Sequence, residues 1–206
     1  MTDHPAAARV TAIYEAVASG WDARRAQTLF ERPWLDAFRA AMPGPVPSVL
    51  DLGCGTGRPL DACLADGGCR ITGIDAASAM IAAARAALPA HDWHVADMRA
   101  LPPLGPYDGL LAWHSLFHLS PDDQRAAIAG FAPLAKPGAP LLFTSGPEAG
   151  EAIGTMNGEP LYHASLDPDE YRAVLAAAGF DVLRHVPEDP ESGGATVWLA
   201  RRRPAA

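Results

Sequence analysis

Apolar positions along the chain fall into two rhythms. Val10, Ile13, Tyr14 and Val17 recur at helical spacing, and a second helix is predicted over Trp34 to Met42, so about forty residues form a helical preface. The cluster Pro43, Gly44, Pro45 and Pro47 stops helices and opens a new region. From Val49 onward short apolar runs alternate with helical stretches: SVLDL, an alanine-rich helix, RITGID, a helix from Ser78, WHVAD, YDGLLAW, a helix after Pro121, and PLLFTS. That alternation predicts an α/β fold, a mostly parallel sheet covered by helices on both faces. After Gly146 the rhythm breaks into a stretch rich in Gly, Pro, Asn and Glu, read as a loop, before a helix resumes near Asp167. FDVLRHV and ATVWLARR then read as strands. Their link, PEDPESGG, is shorter than the dozen or so residues that a parallel crossover needs, so the two pair antiparallel.

The 206 residues suit a single domain in three zones, 1–44, 45–146 and 147–206, with no internal repeat or heptad pattern. A formal net charge of −8 leaves no broad basic field for phosphates, and the run Arg201 to Arg203 is too short to reverse it. Neither nucleic acid nor membrane is therefore expected as a partner. MTDHPAAARV lacks the charged start and apolar core of a secretory signal, and no segment offers ~18 consecutive apolar residues, which predicts a cytoplasmic protein. Cys54, Cys63 and Cys69 are odd in number and form no CxxC pair, which predicts reduced, structural thiols.

The sharpest local signal is Asp51-Leu52-Gly53-Cys54-Gly55-Thr56-Gly57, between an apolar run and a helix. Glycines there permit a tight turn and close backbone approach to a ligand, and the following helix N-terminus offers free amides to an anionic group. A dinucleotide fingerprint, GxGxxG, would place its third glycine where Arg58 stands. The pattern is instead GxGxG with an acid two residues ahead. That favours an amino-acid-bearing nucleoside, with the acid facing the ligand's ammonium and the glycine amides its carboxylate. RITGID ends on Asp75, where a carboxylate can accept both hydroxyls of a ribose. WHVAD ends on Asp97, which itself or through its backbone can reach an adenine edge, with Met98 and Met80 as apolar surfaces for the ring.

In order and spacing, DLGCGTG, GID and VADM resemble the class I S-adenosylmethionine-dependent methyltransferases, particularly their small-molecule branch, over nearly the whole chain. The resemblance implies a Rossmann-like seven-stranded sheet of order 3-2-1-4-5-7-6 with strand 7 antiparallel. It implies S-adenosylmethionine as cofactor, with Gly53 and Gly55 along the methionine part, Asp75 on the ribose, and Asp97 with Met98 framing the adenine. Asp51, Cys54, Ala76, Met80 and Trp113 complete the expected cofactor set. YEAVASGWD resembles the family's N-terminal lid helix, so Tyr14 and Trp21 are expected to close over the cofactor, although Trp21 stands where a tyrosine is more usual.

Methyl transfer from a sulfonium is an in-line displacement, so alignment and exclusion of water are the protein's main tasks. An acceptor hydroxyl, phenol or protonated amine also needs a base, and His114 is delivered by the YDGLLAW strand to the sheet's carboxyl edge. The spacing of His114 and His118 would place both on one helical face, but the acid of HExxH is lacking and no metal is expected. His114, His118, Tyr162 and His163 are the expected acceptor-binding residues, with a small molecule as acceptor. Three readings compete: a methyltransferase acting on a macromolecule, which lacks support because AWHS replaces an NPPY-like turn; a non-catalytic cofactor sensor; and a dehydrogenase, opposed by Arg58 and the closing hairpin. Either a monomer or a homodimer fits.

Overall fold

The computed structural model describes residues 4–25 and 28–204, so the first three residues of the segment read for a secretory signal lie outside it. Helices α1 (Val10–Val17), α2 (Trp21–Arg24) and α3 (Arg32–Ala41) make up the preface. The core then runs β1 (Ser48–Leu52), α4 (Leu60–Asp66), β2 (Arg70–Asp75), α5 (Ser78–Ala87), β3 (Asp92–Val95), β4 (Gly109–Ala112), α6 (Pro121–Phe131) and β5 (Pro140–Ser145). The chain continues as β6 (Gly150–Met156), β7 (Glu159–Ser165), α7 (Pro168–Ala177), β8 (Phe180–Asp189) and β9 (Ala195–Arg202). Pro121 and Pro168 sit in the first turns of α6 and α7, whose caps Ser120 and Asp167 accept the amides of Asp123 at 3.3 Å and Asp169 at 2.8 Å.

Seven strands form the main sheet in the order β3-β2-β1-β4-β5-β9-β8. β1 to β5 pair in parallel, while β9 runs antiparallel to both β5 and β8. The arrangement is the expected one, with the last two strands numbered higher because β6 and β7 precede them. Buried apolar side chains on both faces explain why the strands read as continuous apolar runs. Ile128, Phe131, Phe143, Tyr171 and Trp198 build the core on one face, and Trp34, Phe38, Leu64, Ile81 and Leu142 on the other.

Two expectations are corrected. The stretch after Gly146 is a hairpin in which Asn157 (φ 52°) and Gly158 (φ 84°) form the turn and Met156 pairs with Glu159. Two consecutive left-handed residues match the right-handed twist of a two-residue hairpin, and Asn-Gly tolerates them best. This hairpin packs Tyr162 and Ala164 against Ala6, Ala7 and Val10, and Arg9 meets Glu159 at 2.5 Å. Secondly, His114 and His118 share no helix. His114 has φ 51°, and only a single tight turn follows at Leu116–His118. No helix among the described residues is long and apolar enough to cross a membrane.

Candidate functional site

The carboxyl ends of β1, β2 and β4 converge on a cavity of about 580 Å3 roofed by α1, the chain before it and the β6–β7 hairpin. Its floor is the glycine turn. The amides of Gly53 and Cys54 both donate to the Ile74 carbonyl, at 2.8 and 2.9 Å, and Asp75 accepts from Gly55 N–H at 3.0 Å and Ala77 N–H at 2.8 Å. Ser115 Oγ donates to the Leu52 carbonyl at 2.6 Å, pinning the chain after β4 against the turn. β1, β2 and β4 thus hold one backbone crook in place, with Gly53, Cys54, Gly55 and Gly57 in the cavity wall.

Beneath the turn lie two carboxyls that the protein itself does not satisfy. Asp51 is 4% exposed and Asp61, on α4, is 0% exposed; Asp51 Oδ1 and both Asp61 oxygens have no hydrogen-bond partner from ordinary donors. Burial pushes both carboxyls above the usual carboxylate range; the hydrogen bond between them draws Asp51 back down and raises Asp61 further, so the two side chains lie within proton-sharing reach. Burial raises Asp75 too, and the Cys54 thiol is held well above its ordinary range by burial and then by Asp51, Asp61 and Asp75. Cys54 is therefore a protonated wall residue and no nucleophile. Buried, unpartnered carboxyl oxygens beside open backbone fit an ammonium-bearing ligand. Asp61 and Arg25, which pairs with Glu31, both line the cavity and escaped the sequence reading. The legible trace of Asp61 was an acid set among Leu60, Ala62, Cys63 and Leu64.

At the β2–β3 end, Ala76, Met80, Asp97 and Met98 line the cavity. Met80 is fully buried and packs with Val17, Ala18, Tyr14 and Trp21. The Asp97 carboxylate, however, is engaged by Arg99 at 2.6 Å, which holds it below the usual range. What this position presents to a ring is thus an ion pair beside the Met98 thioether. Glu15 ties α1 to the start of α5, accepting from Ser78 Oγ at 2.8 Å and Ala79 N–H at 3.1 Å.

The opposite end is aromatic. Phe117 stands 5.7 Å from the His114 ring, 4.8 Å from His118 and 5.3 Å from His163, with Trp113 5.5 Å from His114. Burial, and then Arg25, lower His114 to about 4; burial also lowers His118 to about 4, so both rings are neutral at pH 7. Each depressed pKa gives stability that is full above the unfolded value of about 6.5 and is lost as pH falls towards 4.

Two acceptor-side expectations change here. Tyr162 points away from the cavity: its side chain is fully buried among Ala6 and Ala164, and its hydroxyl donates to Glu151 at 2.7 Å. His118 lines the cavity but has both nitrogens engaged. Nδ1 lies 2.8 Å from the Tyr162 carbonyl, which can only accept, so Nδ1 carries the proton and Nε2 accepts from the Tyr14 hydroxyl at 2.8 Å. That chain latches α1 to the hairpin. Tyr14→Phe strands a buried acceptor at a cost of about 1–3 kcal/mol, and calorimetry at pH 7 should show Tm lower by several degrees, at about 2–4 °C per kcal/mol. An unchanged Tm would refute the latch.

The sheet, with its single reversed strand inside the closing hairpin, defines a Rossmann-like α/β protein. Residues 49–138 match the family model of a methyltransferase domain. An O-methyltransferase of Pyrenophora dematioidea is 29% identical over 168 residues, covering 76% of this chain and 62% of that protein. The malonyl-[acyl-carrier protein] O-methyltransferase of Enterobacter lignolyticus is 31% identical over 152 residues, 71% and 60% of the two chains. The chain thus spans about 60% of the length of these curated relatives. The Burkholderia thailandensis 1,6-didemethyltoxoflavin-N1-methyltransferase, solved with 1,6-didemethyltoxoflavin and S-adenosylhomocysteine, superposes with a TM-score of 0.71 at 21% identity, over 98% of this chain and 92% of that one. Residues 49–138 thus carry a methyltransferase domain, and the chain shares the fold of methyltransferases solved with S-adenosylmethionine or its demethylated product.

Proposed function

We propose that this chain transfers a methyl group from S-adenosylmethionine to a small-molecule acceptor. One observation carries the reading: a single cavity joins an unsatisfied acid pair under a glycine turn to a space walled by Phe117 and neutral imidazoles. In this reading Asp51 faces the ammonium, Gly53 and Gly55 offer backbone to the amino-acid part, and Asp75 and Ala76 meet the ribose. Met80 and Met98 flank the adenine, and Trp113 with Cys54 closes the wall between the two ends. When bound, the cofactor supplies an activated methyl group on a sulfonium. Residues 1–44 act as the lid, with Tyr14 and Trp21, 5.5 Å apart edge to face, over the cofactor. Residues 45–146 hold the cofactor, and 147–206 add the hairpin that carries His163 to the acceptor side.

His114 is the nearest group to a base in this proposal. A ring with a pKa of about 4 is a neutral hydrogen-bond acceptor at pH 7 and a weak base, which suits an acceptor that loses its proton late in the displacement. The net charge of −8 and the compact cavity speak for a small acceptor over a nucleic acid, and the three free thiols fit a cytoplasmic setting. The test is transfer of labelled methyl from the cofactor to a fractionated metabolite extract. Label is expected in the low-molecular-weight fraction together with S-adenosylhomocysteine; label confined to macromolecules, or binding without turnover, would reject the reading. His163→Ala should then raise the acceptor KM about tenfold, as loss of one desolvated contact of ~1.4 kcal/mol would, with cofactor affinity unchanged.

A further inference from the structure

We propose that Asp61 is a second acid of the cofactor site, sharing one proton with Asp51 in the ligand-free protein, and that this proton leaves for solvent when an α-ammonium group enters. The inference rests on the cofactor reading above. Asp61 is an unexpected residue where it stands: on the first turn of α4, 0% exposed, between apolar neighbours, with neither oxygen accepting a bond from a backbone amide. It therefore caps nothing, and an isolated carboxylate so placed would be strongly disfavoured. Its side chain and that of Asp51 both line the cavity, and three of their four oxygens lack a donor.

The charged and titratable surroundings offer no other solution. Cys54 faces the pair from the turn and Asp75 from β2, the latter itself influenced by Glu15 on α1. All of these are neutral or negative. Arg25 and Arg58 reach the cavity wall, but Arg25 is paired with Glu31 and neither cation acts on the two carboxyls. One shared proton leaves the pair with a single negative charge. An entering ammonium replaces that proton, giving two carboxylates and one cation, so the buried net charge stays at minus one. Cofactor capture is thereby coupled to release of one proton, and affinity rises with pH, by up to about tenfold per unit for one proton released.

Calorimetric titration with S-adenosylhomocysteine at pH 6.5, in buffers of different ionisation enthalpy, counts that proton directly without turnover. Close to one proton released per ligand is expected. 5′-Methylthioadenosine, which keeps the nucleoside and lacks the amino-acid part, should bind without release. Asp61→Asn, which keeps shape and removes the second titrating site, should still bind S-adenosylhomocysteine with release near zero. A parent protein that binds with no proton release, or an Asp61→Asn variant that releases as many as the parent, overturns the proposal. Absence of any S-adenosylhomocysteine binding overturns the cofactor reading itself, and this one with it. Should the variant not fold, carboxyl NMR of the ligand-free parent decides the point: two coupled aspartates titrating above the ordinary range support the pair, and their absence refutes it.

Discussion

Replacing Gly53 with alanine is expected to weaken S-adenosylhomocysteine binding at least ~100-fold, or about 2.8 kcal/mol, while the sheet stays folded. Gly53 sits at φ 86°, and a Cβ built there would lie 2.4 Å from Ser115 Cβ and 3.3 Å from Met98 Cε. Ser115 cannot retreat cheaply, because it is buried and its hydroxyl holds the Leu52 carbonyl at 2.6 Å. The left-handed conformation adds about 1–3 kcal/mol of strain for a residue with a side chain. Relief requires the turn to move away from the chain that follows β4, and that contact is what holds the cavity floor in place. Circular dichroism and a thermal melt should show native secondary structure at lower Tm, and calorimetry the loss of affinity. Binding within threefold of the parent would mean that the crook is not the ligand platform.

Much of this fold was legible because strands buried on both faces read as short, mainly apolar runs, as in SVLDL and PLLFTS, and because the short link between β8 and β9 excludes a crossover. The β6–β7 hairpin was missed for the converse reason. β6 is largely exposed, so GEAIGTM shows no buried alternation, and only Asn157-Gly158 announced the turn. That omission carried over into the site. In a strand, neighbours point to opposite faces, so once β7 is recognised Leu161 and His163 fall on one side and Tyr162 on the other. The cavity wall contains Leu161 and His163, and Tyr162 packs against the N-terminal segment.

The cofactor side was more legible than the acceptor side because glycines and strand-end acids are set by local backbone geometry. Asp75 and the glycine turn follow directly from where β1 and β2 end. Asp61 did not, since an acid on a short helix reads as solvated until the packing of α4 against β2 is known. His118 shows the same limit. Its four-residue offset from His114 suggested a shared helical face, whereas a left-handed His114 breaks the helix and the ring serves Tyr14 and the Tyr162 carbonyl instead.

Asp75→Ala is expected to abolish nucleoside binding as a whole, which separates it from the acid pair beneath the turn. Asp75 performs two tasks with one carboxylate: it ties Gly55 N–H at 3.0 Å and Ala77 N–H at 2.8 Å, and its position at the end of β2 faces the cavity. Hydrogen bonds to a charged group contribute about 1.5–3 kcal/mol each, so losing both releases the glycine turn from β2 and removes the acceptor for ribose hydroxyls. Affinity should fall by at least ~100-fold, equivalent to about 2.8 kcal/mol, for S-adenosylhomocysteine and 5′-methylthioadenosine alike. Asp75→Asn, which retains one acceptor oxygen, should lose about tenfold, or ~1.4 kcal/mol. The contrast with Asp61→Asn is the decisive one, because that change should spare 5′-methylthioadenosine. Asp75→Ala protein that remains folded and binds 5′-methylthioadenosine as the parent does would place Asp75 outside the nucleoside site and leave its carboxylate as a turn anchor alone.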